Sequence, residues 1–214
     1  MTSIGTILDF EYLQNETPSG IKRSLPFLNA KYRSQVRVVD YYPDKLEDFA
    51  RSLDNKSYND VPDSENEDSD IMGIDTVPPK RWEWAFYILV EDAKKAKAGA
   101  RSAYLPLTVS GSDAEYLLKL DATDLRRDRD NLASLREKLF ILWGDLQEVK
   151  EKAMHGEQVE PNESGSTGYA CSSRPFECCI MEYGMPSPSA ADNEMNPEKN
   201  WTRTFKMFGT TIMN

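Results

Sequence analysis

The sequence predicts a mainly β protein with a minor helical part, and three features carry that prediction. The first is Trp82 to Asp92, WEWAFYILVED, which puts Trp84, Phe86, Ile88 and Val90 on one face of a strand and Ala85, Tyr87 and Leu89 on the other. Both faces are apolar, so this strand is expected to be covered on two sides, by chain or by a partner. The second is a pair of further β-type runs, Tyr32 to Pro43 and Ala103 to Ser110, bounded by proline and glycine-containing turns. The third is that helical spacing is concentrated in one connection, between Ser112 and Val149.

In chain order, Met1 to Lys31 (residues 1–31) has scattered apolar residues broken by Thr17-Pro-Ser-Gly20. It reads as a lead-in lying along a domain surface, or as the tail of a linker from a longer parent chain. The domain proper is expected over residues 32–214. In YRSQVRVVDYYP, Val36 and Val38 alternate with Gln35 and Arg37, and Pro43 stops the strand. Leu46, Phe49, Ala50 and Leu53 suit a short helix. Residues 54–79 are rich in Ser, Asn and Asp and close on Pro78-Pro79. Too apolar-poor to offset their ordering entropy, they are expected to be a disordered acidic insert. After the Trp82–Asp92 strand, Lys94 to Arg101 is a basic turn leading to AYLPLTVS as the second arm of a hairpin. Ser112, with Glu115 three residues on, has the form of a capping box. Asp121 to Asp130 is polar with Leu125 inward.

Next comes LASLREKLFILWGDL, from Leu132 to Leu146. Leu132, Leu135 and Leu139 share a helical face opening at Asn131. From Leu139 to Trp143 the residue types favour a strand leaving at Gly144. Leu142, Leu146 and Val149 also continue the helical register, which leaves one long amphipathic helix as the alternative. Residues 155–173 and 184–199 read as flexible loops, PFECCIMEY as a strand between them, and Trp201 to Ile212 as a closing segment. Strands, a short helical connection after the third, then strands again is the order of an OB-like Greek-key barrel of five to six strands.

Composition narrows the function. The net charge is −10 over 214 residues, yet residues 54–79 hold eight acids against Lys56, and residues 155–170 hold three more acids and no Lys or Arg. Those two stretches contain the whole excess, so the folded part is near neutral. It lacks the basic surface that dominates nucleic-acid affinity. There is no run of 18 apolar residues, the first thirty residues lack a signal-peptide pattern, and three cysteines suit a reducing compartment; an intracellular chain is expected.

Chemistry-bearing constellations are sparse. Cys171, Cys178, Cys179 and the lone His155 could be offered as a zinc set, but adjacent strand residues point to opposite faces, so Cys178 and Cys179 cannot share a metal without a bulge. With one histidine there is no Ser-His-Asp or Cys-His set, and no glycine group precedes the G-K-[ST] of a phosphate loop. No catalytic residue, metal or cofactor is therefore assigned. Binding remains. Tyr41, Tyr42, Trp82, Tyr87, Trp143, Trp201 and Phe205 are the candidate partner contacts, because aromatic anchors carry most interface energy. For each of them the competing assignment is a place in the core. A basic groove stacking single-stranded bases on such aromatics is the rival reading, and a homodimer hiding its own apolar face is a third.

Seven segments, in order, resemble the C-terminal domain of fungal protection-of-telomeres proteins: QVRVVDYYP, LEDFA, WEWAFYILVEDA, LPLTVSGSDAEYLL, LREKLFILWGDLQE, PFECCIMEYG and RTFKMFGTTI. They cover about Tyr32 to Met213 outside the insert and late loops; none is a catalytic signature. The resemblance implies an OB-like domain that docks the bridging shelterin subunit, in a nuclear, telomeric protein whose other OB folds hold single-stranded telomeric DNA. It makes residues 1–31 the linker from those folds. Animal relatives carry a resolvase-like insertion and a four-cysteine zinc site in this domain. The connection from Ser112 to Lys138 is too short for that insertion and three cysteines cannot rebuild the site, so zinc is not carried over.

Overall fold

A computed structural model describes residues 1–9, 13–16, 19–20, 22–53, 81–94, 102–157, 172–187 and 200–212. The acidic insert, most of the basic turn and the greater part of the two late loops lie outside the described residues. The elements are α1 (Ile4–Leu8), β1 (Gln14–Glu16), β2 (Lys22–Ser24), β3 (Lys31–Tyr42), β4 (Ala50–Ser52), β5 (Trp82–Asp92), β6 (Tyr104–Ser110), α2 (Gly111–Leu118), α3 (Arg129–Trp143), α4 (Leu146–Met154), β7 (Phe176–Pro186) and β8 (Trp201–Met207).

β3 is long enough to change neighbours. Its first half, Lys31 to Val36, pairs with β7, and its second half, Val36 to Tyr42, with β5. β5 pairs with β6, β7 with β8, and β6 meets β8 in parallel at Thr108 and Lys206. The ring β3-β5-β6-β8-β7 therefore closes on itself, with β4 added along the far end of β5. Three strands, a helical connection, and two strands that return in the order fifth-then-fourth make the OB-like Greek-key barrel.

Alternation fills the interior. Trp84, Phe86, Ile88 and Val90 of β5 meet Leu105, Leu107 and Val109 of β6, Cys178 and Ile180 of β7, and Phe205 and Met207 of β8. α2 packs over β5 and β6, while α3 lies on β3. The N-terminal lead-in does more than lie along the surface. Ile4 and Ile7 of α1 are buried in the same core, and the Asp92 carboxylate accepts the Ile4 N–H at 2.9 and 3.1 Å.

The segment from Leu132 to Trp143 is helical, with a turn at Gly144 and Asp145 before α4, so the expected strand over Leu139–Trp143 is not formed. Leu132, Leu135, Leu139 and Leu142 bury one stripe against the barrel, and continued helical burial outweighs the β preference of Phe140 and Ile141. The helical connection is correspondingly longer than expected, three helices rather than two. The fourth and fifth barrel strands are β7 and β8. α3 opens on Asp128, whose carboxylate accepts the Asn131 N–H at 3.0 Å, three residues before the expected cap. α2 begins at Gly111 after Ser110, so Ser112 is inside the helix rather than at its cap. Leu46–Asp48 is a single 3-10 turn, with β4 in place of the rest of the expected helix. β7 extends to Pro186, into the first residues assigned to the 184–199 loop.

Candidate functional site: an apolar groove and an exposed tyrosine pair

A bulge decides which β3 aromatics face outward. Inward parity from Val36 and Val38 would carry Asp40 and Tyr42 inside. The register with β5 instead shifts between Val38 and Asp40, so Tyr41 turns in and Asp40 and Tyr42 turn out. Tyr41 stacks on Trp143 with centroids 4.6 Å apart and meets Phe49 edge-on at 5.7 Å; Phe49 stacks on Phe86 at 4.3 Å. Tyr41, Trp143 and Phe205 are 3%, 1% and 5% exposed, so three of the seven expected partner contacts are core residues. Trp82 is half-buried against that core.

The remaining three are on the surface, in two places. Tyr42 and Tyr87 are register partners on the outer barrel wall, 62% and 49% exposed, with ring centroids 6.5 Å apart. Their neighbourhood is not basic. Asp40 and Asp44 stand beside them, both paired with Lys150 Nζ, at 2.7 and 3.0 Å. Lys150 also donates to the Tyr41 carbonyl and lies over the Tyr41 ring at 4.4 Å, which pins α4 to the wall. Trp201 is exposed at the far end of β8, tilted against Phe27 at 5.5 Å. Phe27 in turn fills the space over Gly184, where a Cβ would come within 2.0 Å of its ring. The seven residues are therefore not one site.

A concavity among the described residues lies elsewhere. A groove of about 740 Å³ runs between the last turn of α3, the start of β7 and the segment after β8. Phe140, Ile141, Pro175, Phe176 and Ile212 make its apolar lining, and Arg33, Arg174, Glu177 and the Cys179 side contribute polar edges. Phe140 and Ile141 are 59% and 43% exposed. The sequence signal was present in Leu139-Phe-Ile-Leu-Trp143. Five consecutive apolar residues on a helix, at about 100° each, go right round it, so some must face away from the core. Reading the run as a strand hid that consequence.

Close contacts fasten the α3–α4 junction beside the groove. Gly144 ends α3 at φ +62°, and a Cβ there would stand 2.3 Å from Ser172 Oγ. Ser172 clasps the α3–α4 junction: its N–H and hydroxyl donate to Asp145 Oδ1 at 2.6 and 2.9 Å. Those bonds hold the Asp145 carboxyl below its ordinary range. Cys178 is fully buried, its thiol pushed up to about 12 by burial, whereas Cys179 on the opposite face borders the groove. Among the described residues no group of three or more His, Cys, Asp or Glu could hold a metal ion.

No protein-family model matches the chain. Over 121 residues, 55% of its length, it is 27% identical to protection of telomeres protein 1 of Schizosaccharomyces pombe, and the match spans 16% of that relative. Its fold is similar to the crystal structure of fission yeast Pot1 and Tpz1, with a TM-score of 0.53 and 22% identity, covering 86% of this chain and 83% of that one. The resemblance read from the seven segments thus has a counterpart in both sequence and fold: the chain is Pot1-like.

Proposed function

We propose that this Pot1-like chain is a non-catalytic interaction domain of a telomere end-protection protein in the nucleus, and that it docks a Tpz1-type bridging subunit. The observation that carries the reading is the α3–β7 groove, where Phe140 and Ile141 are exposed while the other large apolar side chains of α3 are buried. Exposed aromatic and aliphatic anchors around a concavity are the usual form of a protein-binding hot spot. The fission yeast structure of Pot1 with Tpz1 supplies the kind of partner.

Calorimetric titration of the chain with a Tpz1-type protein tests this. Saturable binding is expected, and Phe140→Asp is expected to abolish it without lowering the melting temperature. A flat titration with a partner known to be folded would sink the reading. Cys179 gives an independent probe: modification of its thiol should be slowed by the bound partner.

A second reading has one observation in its favour. Tyr42 and Tyr87 form an exposed aromatic pair on the barrel wall, where a single nucleic-acid strand would stack its bases. Against it stand Asp40 and Asp44 beside the pair and the neutral balance of the folded part. Salt separates the two. Binding to phosphates weakens steeply as salt rises, whereas seating on Phe140 and Ile141 responds little.

A further inference from the structure

The charges around the groove are not equivalent. Arg33 Nε is joined to Glu177 Oε1 at 2.6 Å, so its charge is balanced within the barrel. Arg174 is exposed and has no ion-pair partner among the described residues. It lines the same groove as Pro175, Phe140 and Ile141. An occupant covering those side chains would exclude water from beside the guanidinium. Coulomb attraction to an opposite charge there strengthens as the local dielectric falls, and a guanidinium meets a carboxylate with two parallel hydrogen bonds. A basic residue brought to the same place would be repelled. One unbalanced guanidinium is too little to bind a phosphate backbone, which needs several such contacts. It is enough to read a single carboxylate.

We propose that the groove selects a partner segment in which an Asp or Glu lies beside two apolar side chains, the apolar pair seating on Phe140 and Ile141 and the carboxylate on Arg174. The selection rests on the docking function above and adds a charge requirement to it.

The test titrates the full chain with an intact Tpz1-type protein and with short overlapping fluorescent peptides that tile it, followed by anisotropy at two salt concentrations. The peptide that binds is expected to contain an acidic residue adjacent to an apolar pair. Arg174→Glu is expected to weaken binding on the order of ten-fold and to reverse the sign of the small salt dependence that one ion pair gives, because two like charges then face each other. Replacing the peptide's acidic residue by arginine should restore affinity for Arg174→Glu. Arg174 is exposed, so circular dichroism of the variant should match the parent. If Phe140→Asp abolishes binding while Arg174→Glu leaves affinity and salt dependence unchanged, the charge requirement is wrong and docking stands. If neither variant changes binding, or no partner binds, both fall.

Discussion

Glu182 shows how much a single buried charge is asked to do in this barrel. It is fully buried on β7, and burial alone would push its carboxyl up. Arg203 donates to it from Nε at 2.8 Å and from Nη2 at 3.0 Å, Tyr32 donates its hydroxyl at 2.6 Å, and the Leu28 N–H donates at 2.9 Å. Together these hold the carboxyl below its ordinary range, while burial and then Glu182 raise Tyr32 to about 12. Arg203 Nη2 also donates to the Ile7 carbonyl, so the same cluster fastens the N-terminal helix. The depressed carboxyl contributes stability in full above the unfolded value of about 4.3, and that stability is lost as pH falls through the lower folded value. Urea unfolding measured from neutral pH downward should show this loss, and Glu182→Gln should flatten it. Glu182→Ala, which leaves the largely buried Arg203 without its carboxylate partner, is expected to cost about 3–5 kcal/mol. The two adjacent tyrosines of β3 make the complementary case. Tyr41→Ala should destabilise by about 3–5 kcal/mol through the emptied stack on Trp143, whereas Tyr42→Ala should stay within about 0.5 kcal/mol of the parent. Equal effects on the two would contradict the bulge.

At the level of elements, the junction between α3 and α4 carries the groove. Gly144 is required twice over: its φ of +62° suits a residue without Cβ, and Ser172 occupies the space a Cβ would need. Gly144→Ala should therefore cost about 1–3 kcal/mol. Because Ser172 and Asp145 are clasped there, the variant should also loosen the groove wall, read as faster thiol modification of Cys179. An unchanged rate would separate the junction from the groove. Helix identity at α3 was decided by the same geometry. The stripe Leu132, Leu135, Leu139, Leu142 lies flat on β3 as a helix, and a strand over Leu139–Trp143 would have thrown half of those residues off the barrel.

Taken whole, the molecule is a closed barrel with its helical connection on one flank and the apolar groove at their seam. That arrangement predicts that binding and folding come apart: Phe140→Asp should remove partner affinity at unchanged melting temperature, and Tyr87→Ala should leave partner affinity intact. Loss of partner binding on Tyr87→Ala, with the fold unchanged, would move the interface to the barrel wall. What the sequence by itself determined is the strands β3, β5, β6 and β7, their order, and the near-neutral balance of the folded part. Period-2 alternation in Trp82–Asp92, Ala103–Ser110 and Phe176–Tyr183 is a local property, and it survives because each strand buries the face its own residues dictate. Only the tertiary structure decided which aromatics are exposed and which are core. A one-residue bulge at β3 exchanges Tyr41 and Tyr42 between core and surface, and α3's packing on β3 sends Trp143 inward and Phe140 outward. Both outcomes depend on neighbours distant in sequence, β5 in one case and the barrel wall in the other, and a local pattern carries no record of them.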